Sequence, residues 1–382
     1  ATQNLRASAG KTSAANAAAA LDKVHICFCS DDKDLRPLVV ALNSTIAHAK
    51  DTSRLVFHIV TTEERADAVA AQLRAAVPLR ASTLLVHHDA ALQAHIKGLV
   101  NFRQSSGARK GLASPFNFAP FYMDRFLAND GEVPSRLVYL DTDVVVVGDI
   151  AELQALDLGG RAAAAVEDCS QRFDIYINFK ELEKLGFNQA GLDPQACVFN
   201  RGVFIVDIVK WRELRITEDI EMWMTRYRES KKDLYYFGMS QPPWLLALSG
   251  RYRRLGGEWN CRGLGREFLN AKELEELKAS LGLNKAMIQG IGIRAAGSQA
   301  RPFVAPCAAG ARLLHFNGAL KPWRREKWDR KQKPPLCAKP GTPSSEPLRS
   351  KDKFVPCADL WSAHLSPAVA ETLQATEGAA DK

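Results

Sequence analysis

Two aspartates, Asp141 and Asp143, close an apolar run, Leu137-Val138-Tyr139-Leu140, and Val144 to Val147 follow at once. In an extended chain, residues i and i+2 project to one side, roughly 7 Å apart at two rises of about 3.4 Å. The two carboxylates can therefore converge at the end of a buried strand. There they repel one another and resist desolvation unless a cation neutralises them. Hard oxygen ligands with room left for phosphate oxygens suit Mg²⁺ or Mn²⁺. An isolated Asp-x-Asp is more often a strand-end turn, so the weight of the motif depends on the rest of the chain.

A second set of chemical groups lies far downstream in His315-Phe316-Asn317-Gly318-Ala319-Leu320-Lys321-Pro322-Trp323, after a short apolar run from Arg312 to Leu314. Imidazole is a metal ligand. Glycine admits a close backbone approach to a pyrophosphate, and lysine is a compact cation for phosphate oxygens. Separately, His315 reads as a buried core histidine and Lys321 as a surface charge. Together with the two aspartates they describe a site for a metal-bound diphosphate.

The elements that must hold these groups follow from hydrophobic periodicity. Val24 to Cys29 is a β-branched strand ending in Ser30-Asp31-Asp32, and Leu35 to Ala49 has helical spacing with Leu38, Leu42 and Ile46 on one face. A strand at Arg54 to Val60, a helix at Glu63 to Val77 and a strand at Ser82 to Val86 come next. This alternation predicts an α/β fold with a mixed, mostly parallel sheet. In such sheets ligands bind beyond the carboxyl ends of the strands, where Ser30-Asp31 and Asp141-Thr142-Asp143 both fall. Further strands are expected at Ala162 to Val166 and Val203 to Val206. A helix should follow, capped by Thr217, with Ile220, Trp223, Met224 and Tyr227 facing the core.

The 382 residues, 46% hydrophobic and 25% charged, read as one large globular domain. Residues 1–21 are expected to be a flexible leader or the stem of a removed anchor, and 22–330 the domain proper. Residues 264–310 look like an insertion carrying a helix at Ala271 to Leu281, and 331–382 a basic, Pro-rich tail. No apolar run reaches the roughly 18 residues of a membrane span. The formal charge of +8 is densest at Arg324, Arg325, Lys327, Arg330, Lys331 and Lys333, but no nucleic-acid motif accompanies it. Cys27 and Cys29 read as buried thiols. Cys169, Cys197, Cys261, Cys307, Cys337 and Cys357 fit disulfides of an oxidising compartment, with the pairing left open. Asn43-Ser44-Thr45 is a glycosylation sequon whose helical placement favours a packing role.

Tyr139-Leu140-Asp141-Thr142-Asp143, Glu167-Asp168-Cys169, Phe199-Asn200-Arg201-Gly202-Val203 and His315 to Trp323, in this order, resemble the family-8 retaining glycosyltransferases. The resemblance covers about residues 22–330. Within the family the chain is most similar to luminal galacturonosyltransferase-like and family-8-domain-containing proteins. It implies a GT-A, Rossmann-like fold and transfer of a sugar from a UDP-sugar to a hydroxyl of a glycan or glycoconjugate, in the Golgi or secretory lumen. By this resemblance Asp141, Asp143 and His315 would hold Mn²⁺, with Mg²⁺ as the substitute. Gly318 and Lys321 would meet the diphosphate, and Cys29, Ser30 and Asp31 would cradle the uridine. Glu167, Asp168, Asn200 and Gly202 would line the sugar pocket. Gln241 would take a sugar-side or acceptor-side role. Configuration would be retained by a front-face route that needs no strong nucleophile, with Glu167 or Asp168 as a covalent nucleophile the alternative.

One departure bears on activity. Where the family carries an arginine, this chain reads Phe118-Ala119-Pro120-Phe121-Tyr122. Proline suits a first helical turn but brings neither charge nor donor. Arg125 lies about 140° further round a helix at roughly 100° per residue, so it cannot take over. Arg109 or Lys110 in the preceding loop can reach in. A nucleotide- or glycan-binding protein without turnover is therefore the rival reading. A sugar-1-phosphate nucleotidyltransferase is disfavoured, because no Gly-rich phosphate loop follows the first strand.

Overall fold

The structure is a computed structural model. It describes residues 23–380 apart from 32–33, 101–113, 130, 132, 187–191, 237–239, 267–268, 272–273, 276–293, 297–298, 302–309, 319, 325–335 and 340–353. The leader at 1–21, Arg109 and Lys110 lie outside the described residues, as do most of the helix expected at 271–281 and the basic run after Arg324.

The amino-terminal half alternates as its periodicity requires: β1 (Val24–Cys29), α1 (Arg36–His48), β2 (Leu55–Val60), α2 (Ala66–Ala76), β3 (Thr83–His87) and α3 (Ala90–Leu99). A 3-10 turn at Ala119–Tyr122 and helix α4 (Met123–Ala128) lead into β4 (Arg136–Leu140) and β5 (Val144–Val146). Then come β6 (Ala163–Arg172), β7 (Cys197–Asp207), α5 (Ile216–Glu229), α6 (Gln241–Leu248) and β8 (Tyr252–Leu255). The central sheet has seven strands in the order β3-β2-β1-β4-β7-β6-β8. Only β7 runs against its neighbours; the β1–β2, β1–β4, β2–β3 and β6–β8 pairings are all parallel.

Strand alternation divides the core between the two faces of this sheet. Val24, Ile26 and Phe28 of β1 pack with Leu38, Leu42 and Ile46 of α1 and with Val69 and Leu73 of α2. Cys27 and Cys29, both free and buried, face the opposite layer with α5 and α6. There Trp244 is fully buried among the rings of Phe121, Phe199, Phe204 and Trp211. Across the edge of the sheet runs a row of three imidazoles. His25 Nδ1 meets His58 Nε2 at 2.9 Å, and His58 Nδ1 meets His87 Nε2 at 3.0 Å.

Two expectations need correction. Thr217 does not cap its helix: α5 begins one residue earlier, after Arg215, whose φ of 52° is left-handed. The Thr217 hydroxyl instead donates to Phe121 O (2.7 Å) and accepts from Trp211 Nε1 (2.8 Å), so two buried partners displace the capping role. Strands β6 and β7 also run well past the expected five and four residues. β6 continues through polar Glu167 and Asp168, and β7 takes in Asn200 and Arg201, with register shifts between the two that break the alternation.

A small sheet is formed by β9 (Leu269–Asn270), β10 (Arg294–Ala296) and β11 (Gln299–Arg301). Then β12 (Leu313–His315) pairs antiparallel with β5. Beyond it, β13 (Leu336–Ala338), β14 (Phe354–Pro356), α7 (Cys357–Ser362) and α8 (Pro367–Ala380) fold back over the body. Cys337, Cys357 and Trp361 share a core cluster with Val145, Leu314 and Phe316, and Leu373 joins the α1 layer. Asn43, the sequon residue, donates from Nδ2 to His364 O at 2.9 Å, which is a packing use of its amide. Disulfides link Cys169 to Cys197 and Cys337 to Cys357. Cys261 is disulfide-bonded too, while Cys307 lies outside the described residues.

Candidate functional site

The two distant motifs are brought together by one short ribbon. Because β5 starts directly after Asp143, pairing Val144 with His315 places the imidazole beside both aspartates. The turn is locked by Phe316 N–H donating to Asp143 O at 2.8 Å. Asp141 is fixed from β7, its N–H donating to Gly202 O at 2.7 Å. His315 Nε2 consequently lies 3.2 Å from Asp143 Oδ1 and 3.8 Å from Asp141 Oδ2, and His315 is 1% exposed.

A relay of amides sets the tautomer of that histidine. The backbone N–H of Gly202 can only donate, and it donates to Asn200 Oδ1 at 2.8 Å. Asn260 Nδ2 donates to the same oxygen at 3.2 Å, which turns Asn260 Oδ1 toward His315 Nδ1 at 2.9 Å. The proton of His315 therefore sits on Nδ1, and Nε2 presents a lone pair. Nε2 is buried and makes no hydrogen bond of good geometry. A bare imidazole nitrogen between two carboxylates fits a divalent cation, and Asp141, Asp143 and His315 offer ligand atoms all within 4.8 Å of one another. Glycine is required at 202: a Cβ there would lie 2.6 Å from Asp141 Oδ2 and collide with His315.

Lys321 is engaged with the same group. Its ammonium lies 2.5 Å from Asp143 Oδ2 and donates to Phe316 O at 2.9 Å. Burial pushes the Asp143 carboxyl up, but the charge of the Lys321 ammonium outweighs it and holds the group well below the usual carboxylate range. Tyr139 donates to Asp141 Oδ1 at 2.8 Å; burial first, and then the Asp141 charge, push its hydroxyl up so that it stays a donor.

Beside this cluster opens a cavity of about 310 Å³. Of the residues expected to bind substrate or metal, Asp141, Asp168, Asn200, Gly202, Gln241, His315 and Gly318 line it. Gln241 is held by Nε2 donating to Phe199 O at 2.8 Å. Asp168 is buried and paired with Arg262. Glu167 is not on the cavity wall. It accepts from Tyr252 at 2.6 Å and pairs with Arg254 at 2.9 Å. Cys29, Ser30 and Asp31 also lie off this cavity, at the end of β1 beside β4. Gly318, at φ 126°, lies so close to the Gly265 backbone that a Cβ would overlap it.

Pro120 is buried in the 3-10 turn, compatible with the backbone and without a donor. Arg125 points elsewhere, paired with Glu221 at 3.2 Å and Glu218 at 3.5 Å. Sequence reasoning gave Asn260 no role at the site. An asparagine in Glu258-Trp259-Asn260 carries no local signal for a contact with residues 200 and 315. It also left Arg262 and Tyr139 without roles: the partner of Arg262, Asp168, is distant in the chain, and Tyr139 reads as a core strand residue although its hydroxyl reaches Asp141 two residues on.

The chain matches Glycosyl transferase family 8 over residues 25–327. Probable galacturonosyltransferase-like 3 of Arabidopsis thaliana is 30% identical over 302 residues, covering 79% of this chain and 75% of that protein. Glycosyltransferase 8 domain-containing protein 1 of Danio rerio is 28% identical over 320 residues, covering 80% and 75%. The apo structure of the bifunctional glycosyltransferase WbbM shares the fold, with a TM-score of 0.51 at 17% identity. The match covers 80% of this chain and about half (48%) of that one. The expected GT-A architecture, a mixed and mostly parallel sheet between helices, is the one observed.

Proposed function

The chain belongs to glycosyl transferase family 8, and from that premise we propose that it moves a sugar from a UDP-sugar to a hydroxyl of a glycan or glycoconjugate with retention of configuration. The observation that carries this reading is the bare Nε2 of His315 facing Asp141 and Asp143 at the rim of the cavity. These three residues would hold Mn²⁺ or Mg²⁺, whose contribution is to offset the charge that builds on the leaving diphosphate.

The remaining roles belong to the protein. Asn260 and Asn200 keep the His315 lone pair aimed at the carboxylates. Lys321, already on Asp143, is within reach of a phosphate oxygen bound at the same cluster. Gln241, pinned to Phe199 O, presents its amide to the cavity where the transferred sugar would sit. Glu167 and Asp168 are both paired with arginines, which fits a route without a carboxylate nucleophile. The names of the plant relatives make galacturonate one donor sugar to test, beside galactose, glucose and xylose. Disulfides such as Cys169–Cys197 and Cys337–Cys357 accord with residence in the Golgi or secretory lumen.

The test is UDP release from UDP-galactose, UDP-glucose, UDP-galacturonate and UDP-xylose with Mn²⁺. EDTA and Asp143→Ala serve as controls. Metal-dependent release from one donor, lost in the variant, is the expected outcome. Because Pro120 supplies no donor and Arg125 is committed elsewhere, a binding-only protein is the second reading. UDP with Mn²⁺ stabilising the fold, without release from any donor across an acceptor panel, would favour it.

A further inference from the structure

Among the described residues, Arg201 at the cavity makes no ion pair with a carboxylate. Arg201 lies between Asn200 and Gly202 on β7 and lines the cavity wall. Its Nη2 donates to Asn117 Oδ1 at 2.8 Å, a neutral partner on the segment just before Pro120. Its Nη1 is buried and has no hydrogen-bond partner. Among the described residues no carboxylate is paired with it, whereas Asp168 is taken by Arg262 and Asp141 accepts from Tyr139. The guanidinium charge is nonetheless felt at the Tyr139 hydroxyl and the Cys29 thiol, which places it beside the Asp141 end of the cluster.

A buried N–H without an acceptor is disfavoured unless a ligand supplies one, and a guanidinium presents its donors in a fixed plane. We propose that Arg201 is a substrate-specificity residue. Its Nη1 donates to an oxygen of the transferred sugar, while Asn117 holds the fork in place. This rests on the cavity being the donor site. Residue 201 stands between two residues of the metal-positioning relay, so a sugar gripped there is held next to the cation cluster. Pro120 donates nothing, and Arg201 can supply a cationic contact from the cavity wall.

The test compares binding of UDP with binding of UDP-galactose and UDP-galacturonate, by calorimetry with Mn²⁺, for wild type, Arg201→Met, Arg201→Lys and Asn117→Ala. For whichever UDP-sugar the wild type binds best, Arg201→Met is expected to lose at least tenfold in affinity. UDP itself should change by less than twofold, which also reports an intact fold. Arg201→Lys and Asn117→Ala should fall between wild type and Arg201→Met. Equal losses for UDP and the UDP-sugar would overturn the proposal in favour of a diphosphate contact or a damaged fold. Unchanged UDP-sugar binding in Arg201→Met would overturn it while leaving the donor site standing. A wild type that binds none of the three would overturn the donor-site reading and this inference together.

Discussion

His315 can serve a cation only while Nε2 is free of a proton, and Asn260 is the residue that ensures this. Replacing Asn260 with leucine removes the acceptor for Nδ1–H and leaves Asn200 with one donor fewer. Mn²⁺ affinity is expected to fall about 10- to 100-fold, as for other partners that orient a metal-binding histidine. A Mn²⁺ titration of the isolated protein reads this directly; unchanged affinity would mean the relay does not set the tautomer. Lys321 gives a second prediction. Paired with Asp143, it offsets one of the two carboxylate charges of the cluster and must share that carboxylate with a bound cation. Lys321→Ala should therefore retain or tighten Mn²⁺ binding while weakening UDP binding at least tenfold. Loss of both would show that the lysine is chiefly structural. The chemistry of Asp141, Asp143, His315 and Lys321 is legible from residue type and order. The Lys321–Asp143 pair and the Asn260 relay are not, because both are contacts between residues that no local pattern connects.

Among the elements, the imidazole row across β1, β2 and β3 makes stability depend on pH. Burial lowers His25 to about 4, with Lys23 adding to the effect. Burial also lowers His58 to about 2, with His87 and His25 adding to it. Each N···N contact tolerates one shared proton; a further proton sets N–H against N–H. Both folded pKa values lie below the ordinary histidine value of 6.5, so the unfolded state takes up protons first. The row's contribution is then complete above about pH 6.5 and is lost as the pH falls toward the folded values. For buried His58 the slope approaches about 1.4 kcal/mol per pH unit. Urea unfolding of wild type and His58→Leu between pH 7 and about pH 5 checks this. The variant should show the shallower dependence, and parallel curves would exclude the row as the source. Strands β1 to β3 and helices α1 and α2 were readable because one apolar face per element repeats at the right period. Pairing of β5 with β12 was not, since each is three residues long and nothing in a valine run names its partner. Thr217 misled because a hydroxyl near a helix start suits a cap and a buried tertiary bond equally well.

At the scale of the whole molecule, the walls of the cavity are tied together from outside it. The Cys169–Cys197 disulfide clamps β6 to β7 beside Asp168 and Asn200. Breaking it by Cys169→Ser with Cys197→Ser should cost about 2–4 kcal/mol of stability and raise the KM for donor more than it lowers kcat. Denaturant melts and donor kinetics would show both effects. The carboxyl-terminal segment buttresses the other wall. Trp361 is 4% exposed and packs on Trp323, whose ring lies 5.6 Å from the Lys321 ammonium. Trp361→Ala should destabilise the fold by about 3–5 kcal/mol and loosen the Lys321 loop, seen as weaker UDP binding at temperatures where the protein remains folded. Recognisable family sequence stops at residue 327, yet Cys337, Cys357 and Trp361 fill the same core as Leu314 and Phe316. The stretch that carries the chemistry and the stretch that must fold thus have different ends. A chain trimmed to the edge of its visible kinship would keep every candidate ligand and lose the surface against which the last of them leans.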